Sequence, residues 1–386
     1  MKVLIFANKM PDLCGAFLHD IDLASELVRR GHMVVFLTIK FPREGVNGGT
    51  YRGFRFLHYS AASSFLDTSD IWLCPHAPIL PDVRGLNTRG YFRPIVATCH
   101  YDGNYTMITR NSEPKWSEML LFINNIMEVN YRKNISPWPS QIAKTDVVRP
   151  ILHREKILIS EPFQGEYITL VNANENKGVH QFLELARRLP QRKFLGILPY
   201  YGNIRIPTSP PPNIRWISFA DDIREVLKET RILLMPSYYE SYGRIGMEAM
   251  LNGIPVIYSR PAKKSPYPGG STEGMLVWTG DVAIACERDV PEEWIAAIES
   301  LDNPDTYADI SERSRIKIES MNPFEEGQRI AEMIESFSRS HPVVPRQTFA
   351  PAKSSQQQSG PVMLMPREPK GPVGFGFSNG RLRIQR

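Results

Sequence analysis

Short apolar runs separated by amphipathic stretches dominate the first part of this 386-residue chain. Four of these runs have the length of buried strands and predict them at 2–7, 33–38, 70–76 and 93–100. Between the first two, apolar residues recur with helical spacing over 17–30, and Gly31 follows as a helix stop. A further helix is predicted over 116–130. The order strand, helix, strand indicates a Rossmann-like unit at the start of the chain.

A second series of the same kind begins after residue 160. Strands are predicted at 167–171, 193–198, 214–218, 231–235 and 254–258, and helices at 178–189, 221–229, 291–301 and 306–340. Apolar strands that alternate with helices favour a parallel α/β sheet. We therefore predict an α/β chain with two Rossmann-like domains, residues 1–160 and 161–340, joined through a turn near Gly165.

After residue 340 the composition changes to proline, serine, glutamine and glycine. Residues 341–386 contain seven Lys and Arg against one Glu, a net charge of +6. Such a segment has little apolar surface to bury, so we predict a disordered tail. Its positive charge is compatible with an anionic surface, such as a membrane or a nucleic acid, as a partner.

Cysteine usage and hydropathy limit the cellular setting. The four cysteines, Cys14, Cys74, Cys99 and Cys286, are far apart in the sequence and form no Cys-x-x-Cys pair. Buried reduced thiols are therefore expected rather than disulfides or zinc ligands. No apolar run approaches the roughly 18 residues of a membrane span, and the first strand is too short for a signal peptide. These features favour a cytoplasmic protein, and no metal site is apparent in the sequence.

The segment between the predicted strands 231–235 and 254–258 carries two carboxylates. Glu240 lies in a loop, Gly243 marks a turn into a helix, and Glu248 lies on that helix, eight positions after Glu240. In a parallel sheet this junction is at the carboxyl ends of the strands, where ligands bind. Amides at the helix start favour an anion, and carboxylates suit hydroxyl groups. The pattern therefore predicts a ligand with both phosphates and hydroxyls, such as a sugar nucleotide.

Other candidate residues lie where predicted strands end. Lys177 and Gly178 follow the first strand of the second domain and begin a helix, so the lysine can reach a phosphate at that helix start. His76 and His100 each end a strand of the first domain, where either could bind a sugar hydroxyl or a leaving phosphate. Gly15, in the first loop, would let the backbone approach a diphosphate.

The segment from Ser237 to Ile257 resembles the signature of glycosyltransferase family 4. It contains Ser-x-x-Glu, Gly-Arg, Glu-Ala-Met and Asn-Gly-Ile-Pro-Val-Ile in that order, with seven residues between the two glutamates. The resemblance implies a GT-B fold, in which two Rossmann-like domains face each other across a cleft. It also implies retaining transfer of a sugar from a nucleoside diphosphate to an acceptor hydroxyl, with neither a metal nor a further cofactor.

The resemblance also assigns roles to individual residues. Glu240 corresponds to the family glutamate that contacts the donor sugar at the reacting carbon, and Glu248 to the one that binds the ribose hydroxyls. His100 corresponds to a strand-end histidine that faces the donor sugar, and Glu240 and His100 are the predicted catalytic residues. The predicted donor-binding residues are Gly15, Asn172, Lys177, Gly178, Tyr242, Gly243, Arg244, Ile245 and Glu248, and His76 is a further candidate.

Two positions depart from the family pattern. The family usually has an arginine five residues before the lysine that grips the donor phosphates, and here that position is Asn172. Diphosphate binding would then depend on Lys177, on backbone amides and on Arg244. The family often has paired glycines in its first loop, whereas this chain has Cys14-Gly15. In the resembling family the last helix often crosses back to pack on the first domain.

Three alternative functions are compatible with these residues. One is a transferase that glycosylates hydroxylated DNA bases, which would suit a basic acceptor side. Another is a sugar phosphorylase or a nucleotide-sugar epimerase of the same fold. The third is a non-catalytic nucleic-acid-binding protein that uses the basic tail, although no folded nucleic-acid-reading motif is visible. The acceptor classes left open are a glycan, a lipid-linked acceptor and modified DNA.

Overall fold

The structure is a computed structural model, and it describes most of the chain. The described residues are 1–8, 10, 14–40, 48–103, 105–108, 115–160, 165–199, 209–218, 220–262, 272–343, 375–378 and 381–384. They form two units, Met1–Arg346 and Gln347–Arg386. The larger unit contains two separate sheets, and we call the part built on the first sheet the amino-terminal lobe and the part built on the second the carboxyl-terminal lobe.

The amino-terminal lobe is built on an eight-stranded sheet. Its strands are β1 (Lys2–Ala7), β2 (Met33–Thr38), β3 (Gly48–Tyr51), β4 (Phe54–His58), β5 (Ile71–Cys74), β6 (Ile95–Cys99), β7 (Glu118–Phe122) and β8 (Ile142–Val147). Their order is β3-β4-β2-β1-β5-β6-β7-β8, and only the β3–β4 pair is antiparallel among these strands. The helices are α1 (Gly15–Arg29), α2 (Ser63–Thr68), α3 (Leu80–Asn87), α4 (Asn125–Asn134) and α5 (Arg154–Ile157).

The carboxyl-terminal lobe is built on a six-stranded parallel sheet. Its strands are β9 (Tyr167–Val171), β10 (Phe194–Ile197), β11 (Ile214–Ile217), β12 (Thr230–Met235), β13 (Val256–Ser259) and β14 (Ile284–Cys286). Their order is β11-β10-β9-β12-β13-β14, so the direction of strand addition reverses at β9. The helices are α6 (Val179–Arg188), α7 (Ile223–Leu227), α8 (Arg244–Leu251), α9 (Leu276–Thr279) and α10 (Pro291–Ser300). This reversal is a topological switch point, where parallel sheets bind ligands.

The central strands of both sheets are continuous runs of buried residues. Every residue of β5, β6 and β7 is buried, as is every residue of β10 and β13. A parallel sheet covered by helices on both faces has no solvent-facing side, so its strands need continuous apolar runs rather than alternation. The predicted parallel α/β architecture is therefore confirmed, and most predicted elements of the carboxyl-terminal lobe agree with the structure to within two residues. Strand β14 and helix α9 were not predicted, and the helical stretch predicted over 306–340 is two helices, 304–319 and 326–340.

The last helices connect the two lobes. Helix α11 (Pro304–Glu319) packs on α8, and α12 (Glu326–Ser340) packs on α1 of the amino-terminal lobe. Arg30 donates from Nε and Nη2 to Glu335 of α12 over 2.7 and 3.0 Å, and His32 lies 2.8 Å from the same carboxylate. Glu326, at the start of α12, accepts the Arg149 backbone amide over 3.0 Å. The chain therefore returns to the lobe in which it began, as the family resemblance implies.

The predicted helix over 116–130 is wrong. Residues Glu118–Phe122 form the buried strand β7, and the helix α4 begins only at Asn125. A short apolar run does not distinguish a buried strand from a buried helix by its periodicity. Asn124 is the missed signal, because its side-chain oxygen accepts from the Met127 amide over 2.7 Å and caps the helix.

Several strands were not predicted, and the tail is described only in part. The β3–β4 hairpin and β8 lack a strong apolar pattern, since most of their residues are partly exposed. In the tail, β15 (Phe375–Ser378) and β16 (Arg381–Ile384) form an antiparallel pair. The other tail residues after 343, and residues 161–164 of the predicted linker turn, lie outside the described residues.

Candidate functional site

A cleft of about 720 Å³ is lined by loops and helix ends of both lobes. It meets the carboxyl-terminal lobe beside β9, at the switch point of the sheet, and the amino-terminal lobe at the start of α1. Ten of the residues predicted from sequence line this cleft: Gly15, His100, Asn172, Lys177, Glu240, Tyr242, Gly243, Arg244, Ile245 and Glu248. Gly178 and His76 are not among its lining residues.

Lys177 and Glu240 meet in this cleft although 63 positions separate them. Lys177 Nζ lies 2.5 Å from Glu240 Oε1, and the Ser237 hydroxyl donates to the same oxygen over 2.8 Å. Glu240 is 7% exposed and the Lys177 side chain is 17% exposed, so water screens this pair only weakly. A lysine has three donors, so Lys177 can contact Glu240 and a phosphate at the same time.

Backbone geometry fixes the turn that carries Lys177. Asn172, directly after β9, has φ +63°, a left-handed conformation that asparagine tolerates better than most residues. Asn174 Oδ1 accepts the Lys177 amide over 3.0 Å. Gly178 has φ +78°, and a Cβ there would lie 2.1 Å from the Pro236 carbonyl oxygen. This turn therefore packs directly against the loop that carries Glu240.

The loop from Glu240 leads into helix α8, whose first turn faces the cleft. Gly243 precedes the helix with φ +80° and provides no side-chain cap, and no acidic residue lies in the first turn. Trp278 Nε1 donates to the Tyr242 carbonyl over 2.5 Å, and this hydrogen bond helps to fix the loop before α8. The amides at the start of α8 are therefore available to an anion in the cleft.

Glu248 lies within a buried ion cluster that joins the lobes. Arg244 Nε donates to Glu248 Oε1 over 2.7 Å, and Arg244 Nη2 lies 3.0 Å from Asp22 Oδ2 on α1. Lys156 Nζ donates to Asp22 over 2.8 Å. Burial raises the pKa of the Glu248 carboxyl, and Arg244 opposes that rise. Burial would also raise the pKa of Asp22, but Arg244 and Lys156 outweigh it and lower that pKa.

Three histidines of the amino-terminal lobe lie next to one another. The His100 ring is 5.3 Å from the His19 ring and 6.2 Å from the His76 ring, between centroids. Burial, together with both neighbouring imidazoles, holds the pKa of His100 well below its usual range. His100 is therefore neutral at pH 7 and can donate or accept a hydrogen bond in the cleft. His76 lies 3.8 Å from the buried carboxylate of Asp20 instead.

Four further residues complete this arrangement, and no role was predicted for any of them from the sequence, although Ser237 begins the Ser-x-x-Glu motif. His19, Asp22, Lys156 and Ser237 line the cleft and contact the predicted residues or lie beside them. His19 and Asp22 are polar positions on the inner face of an amphipathic helix, and both are almost fully buried. In the sequence both look like ordinary polar positions of an amphipathic helix, so no local signal indicated them. Asp222, which also lines the cleft, caps α7 by accepting the Arg224 amide over 3.0 Å.

Among the described residues, no group of three or more His, Cys, Asp and Glu side chains has an arrangement that could hold a metal ion. In the same part of the chain, no helix combines the length and the apolar composition needed to cross a bilayer.

Comparisons with known proteins agree with this geometry. Residues 167–302 match the family model of the group 1 glycosyl transferases, which covers about a third of the chain. A search of curated protein sequences found no match. The matched segment begins at β9 and ends just after α10, so it contains the Lys177 turn, the Glu240 loop and helix α8.

Solved structures extend the similarity to both lobes. Sucrose-phosphate synthase from Thermosynechococcus elongatus is 12% identical with a TM-score of 0.62, and the alignment covers 88% of this chain and 98% of that one. WaaG, a glycosyltransferase involved in lipopolysaccharide biosynthesis, is 13% identical with a TM-score of 0.58 over 86% and 99%. An E. coli trehalose-6-phosphate structure bound with UDP-2-fluoro glucose is 10% identical with a TM-score of 0.61 over 88% and 99%. These similarities establish the GT-B fold, and the family match supports glycosyl transfer.

Proposed function

We propose that this protein is a retaining, metal-independent glycosyltransferase of the family 4 type. It would move a sugar from a nucleoside diphosphate to an acceptor hydroxyl. The observation that carries the proposal is the Lys177–Glu240 pair, 2.5 Å apart in a cleft at the sheet switch point, with the start of α8 beside it. The cation and the helix amides suit a diphosphate, and the carboxylate suits the positive charge that develops on a sugar.

The donor would lie along the carboxyl-terminal wall of the cleft. Lys177 and the first amides of α8 would hold the diphosphate, while Glu248 would accept hydrogen bonds from two ribose hydroxyls. In the structure Glu248 accepts a hydrogen bond from Arg244 Nε. Donor binding would therefore turn the Arg244 guanidinium towards the phosphates, because the ribose hydroxyls replace one of its hydrogen bonds.

The chemistry would proceed on one face of the sugar. The bond between the anomeric carbon and the diphosphate oxygen breaks, and the acceptor oxygen forms its bond on the same face. The acceptor proton passes to the leaving phosphate oxygen, so no protein base is needed. Glu240 would stabilise the oxocarbenium-like transition state electrostatically, and neutral His100 would hydrogen-bond to a sugar hydroxyl from the opposite wall. A neutral imidazole suits this role, since it can donate without repelling the developing positive charge.

The test is a panel of UDP-, GDP- and ADP-sugars, measured by thermal shift and by release of the nucleoside diphosphate. We expect one donor class to stabilise the protein and to be hydrolysed slowly without an acceptor. Glu240→Gln should lose most of this release while donor binding persists, and Glu292→Gln on the exposed face of α10 is the matched control. Release of a product sugar with the anomeric configuration of the donor, seen by NMR, would support retention.

Two results would contradict the proposal. Wild-type turnover in Glu240→Gln would remove that residue from the reacting centre. Activity that disappears in EDTA and returns with Mg²⁺ would contradict metal independence, because the proposed mechanism neutralises the diphosphate with protein groups alone. The same donor panel run with and without EDTA measures both.

A further inference from the structure

The loop that carries Glu240 is contacted by the opposite lobe on both sides of this residue. Tyr239 precedes Glu240, and the Tyr239 hydroxyl oxygen accepts the backbone amide of Asp102 over 3.0 Å. Ser241 follows Glu240, and the Ser241 carbonyl accepts from Asn124 Nδ2 over 2.6 Å. Asp102 and Asn124 belong to the amino-terminal lobe, whereas the loop lies between β12 and α8 of the carboxyl-terminal lobe. Glu240 is therefore bracketed by two hydrogen bonds that cross between the lobes.

The Tyr239 side chain is fixed by packing as well as by its hydrogen bond. It lines the cleft, and its ring centroid lies 4.9 Å from that of Tyr101 at an interplanar angle of 57°. This tilted arrangement is favourable for a pair of aromatic rings. Burial raises the pKa of the Tyr239 phenol above its usual value, so the hydroxyl is neutral at pH 7. The contact with the Asp102 amide is therefore made by a neutral hydroxyl on a ring that the opposite lobe also packs against.

Helix α4 holds the turn after β6, which makes the first of these contacts. Asn130 Nδ2 donates to Asp102 Oδ2 over 2.6 Å, and the Tyr131 hydroxyl donates to the Tyr101 carbonyl over 2.8 Å. The same turn begins with His100, which directly follows β6 and lines the cleft. The first bracketing hydrogen bond therefore joins the two segments that carry the predicted catalytic residues, one from each lobe.

Asn124 makes the second contact with one half of its amide group and caps α4 with the other half. Its Oδ1 accepts the Met127 amide over 2.7 Å, and its Nδ2 donates to the Ser241 carbonyl. Asn124 is 3% exposed, so water competes little for this hydrogen bond. Gly274 also lies against the Ser241 carbonyl, and a Cβ at that position would clash with the carbonyl oxygen. The loop backbone is therefore closely packed at the residue that follows Glu240.

We propose that Tyr239 and Asn124 are positioning residues for Glu240, so that the amino-terminal lobe sets the placement of a carboxylate carried by the other lobe. This inference rests on the proposed function, in which Glu240 faces the reacting carbon. Lys177 and Ser237 contact the Glu240 side chain from its own lobe, whereas the two bracketing hydrogen bonds hold the chain on each side of it. Because a misplacement of about 1 Å can cost about a hundredfold in rate, these contacts act on turnover more than on donor affinity.

Two conservative substitutions remove these contacts and preserve the local fold. Tyr239→Phe deletes the hydroxyl and keeps the packed ring. Asn124→Ser keeps an oxygen that can cap α4, but its side chain is too short to reach the loop. Each has a matched control at a residue that is not among those lining the cleft. Tyr307→Phe removes a hydroxyl that donates to a backbone carbonyl over 2.9 Å, and Asn303→Ser makes the same change at the capping residue of α11.

The first measurement compares turnover of a nucleotide sugar with calorimetric affinity for the nucleoside diphosphate. We expect Tyr239→Phe and Asn124→Ser each to lower kcat by about tenfold or more, with affinity changed by less than about threefold and both controls unaffected. A double-mutant cycle with Glu240→Gln separates positioning from a general structural role. Once the carboxylate charge is gone its placement no longer matters, so Tyr239→Phe should add less than about twofold to the loss in Glu240→Gln. Losses that multiply in full would overturn the inference, and so would a wild-type kcat in both single variants.

Hydrogen exchange gives an answer that does not depend on turnover. Amide exchange is measured by mass spectrometry on peptides that cover residues 237–243, in the wild type, both variants and both controls. We expect exchange there to be faster by up to about tenfold in each variant and unchanged in the controls, because each variant removes one hydrogen bond that holds the loop. Unchanged exchange in both variants would overturn the inference. If the wild type turns over no nucleotide sugar, the proposed function fails, and the exchange data alone decide whether the amino-terminal lobe holds this loop.

Discussion

Gly178 offers the sharpest test of how the Lys177 turn is held against the Glu240 loop. An alanine Cβ at this position would lie 2.1 Å from the Pro236 carbonyl oxygen and 2.8 Å from its carbonyl carbon. Cβ atoms essentially never approach other atoms to less than 3.0 Å, so backbone must move. Gly178 also has φ +78°, and this left-handed conformation adds about 1–2 kcal/mol for any residue with a Cβ.

The expected cost of Gly178→Ala is the sum of these two effects. Overpacking of a closed site typically costs about 1–3 kcal/mol. Together with the backbone strain, we expect the free energy of unfolding to fall by about 2–5 kcal/mol. Gly31→Ala is the matched control, because Gly31 has φ +85° and a Cβ there would meet nothing within 4 Å. It carries the strain without the clash, so it should cost only about 1 kcal/mol.

Urea unfolding followed by tryptophan fluorescence compares the two variants directly. Equal losses in both would refute the reasoning, because the close approach to Pro236 would then contribute nothing. Activity gives a second readout at a temperature where both proteins are folded. The displaced backbone leads directly to Ser237 and Glu240, and a shift of about 1 Å can cost about a hundredfold in rate. Gly178→Ala should therefore lose turnover well beyond its loss of stability, and Gly31→Ala should not.

Three further perturbations test other parts of the structure. Arg30 lowers the pKa of Glu335 to about 2, so this ion pair contributes its full stabilisation above about pH 4.5 and loses it as the pH falls towards 2. Glu335→Gln should therefore lower the free energy of unfolding by about 1–2 kcal/mol at pH 7, after allowance for solvent screening, and should have no effect near pH 2. Unfolding curves measured as a function of pH test this. Glu118→Gln should lower the free energy of unfolding, measured in urea, by about 3–5 kcal/mol, because the Arg84 guanidinium 2.8 Å away would remain buried and charged. A loss below about 1 kcal/mol would contradict this reasoning. Ser237→Ala removes a 2.8 Å hydrogen bond to the neighbouring glutamate and should lower turnover about tenfold with donor affinity unchanged in calorimetry.

The carboxyl-terminal lobe was predictable because its signals are local. Its strands are short and predominantly apolar, several of them are bounded by Asn or Pro, and most of its helices have clear apolar faces. The segment from Ser237 to Gly253 combines both, so its loop, helix and next strand could be placed from sequence alone. Lys177 and Glu240 could be expected at one edge of the sheet, because each follows a strand of the same parallel sheet.

The errors occur where a distant partner decides the structure. Glu118 looks like a polar helix residue, yet it begins a buried strand because Arg84, 34 positions earlier, neutralises it over 2.8 Å. His19 and Asp22 look like the polar positions of an ordinary surface helix. They are buried because α12 and the start of α8 cover that face of α1. Neither periodicity nor motif spacing contains information about such contacts.

Under the proposed function, Arg244 would take the place of the second cation that the family pattern has at position 172. Asn172, directly after β9, has φ +63°. This left-handed conformation is less favourable for arginine than for asparagine. Arg244 instead enters the cleft from α8, and its guanidinium is held by Asp22 of the other lobe over 3.0 Å. A cation at 172 would belong to one lobe alone, whereas Arg244 is held both by Glu248 of its own helix and by Asp22 of the other lobe. Under the proposed function, separation of the lobes would remove the Asp22 contact that helps to position this guanidinium, and we would then expect weaker binding of the diphosphate.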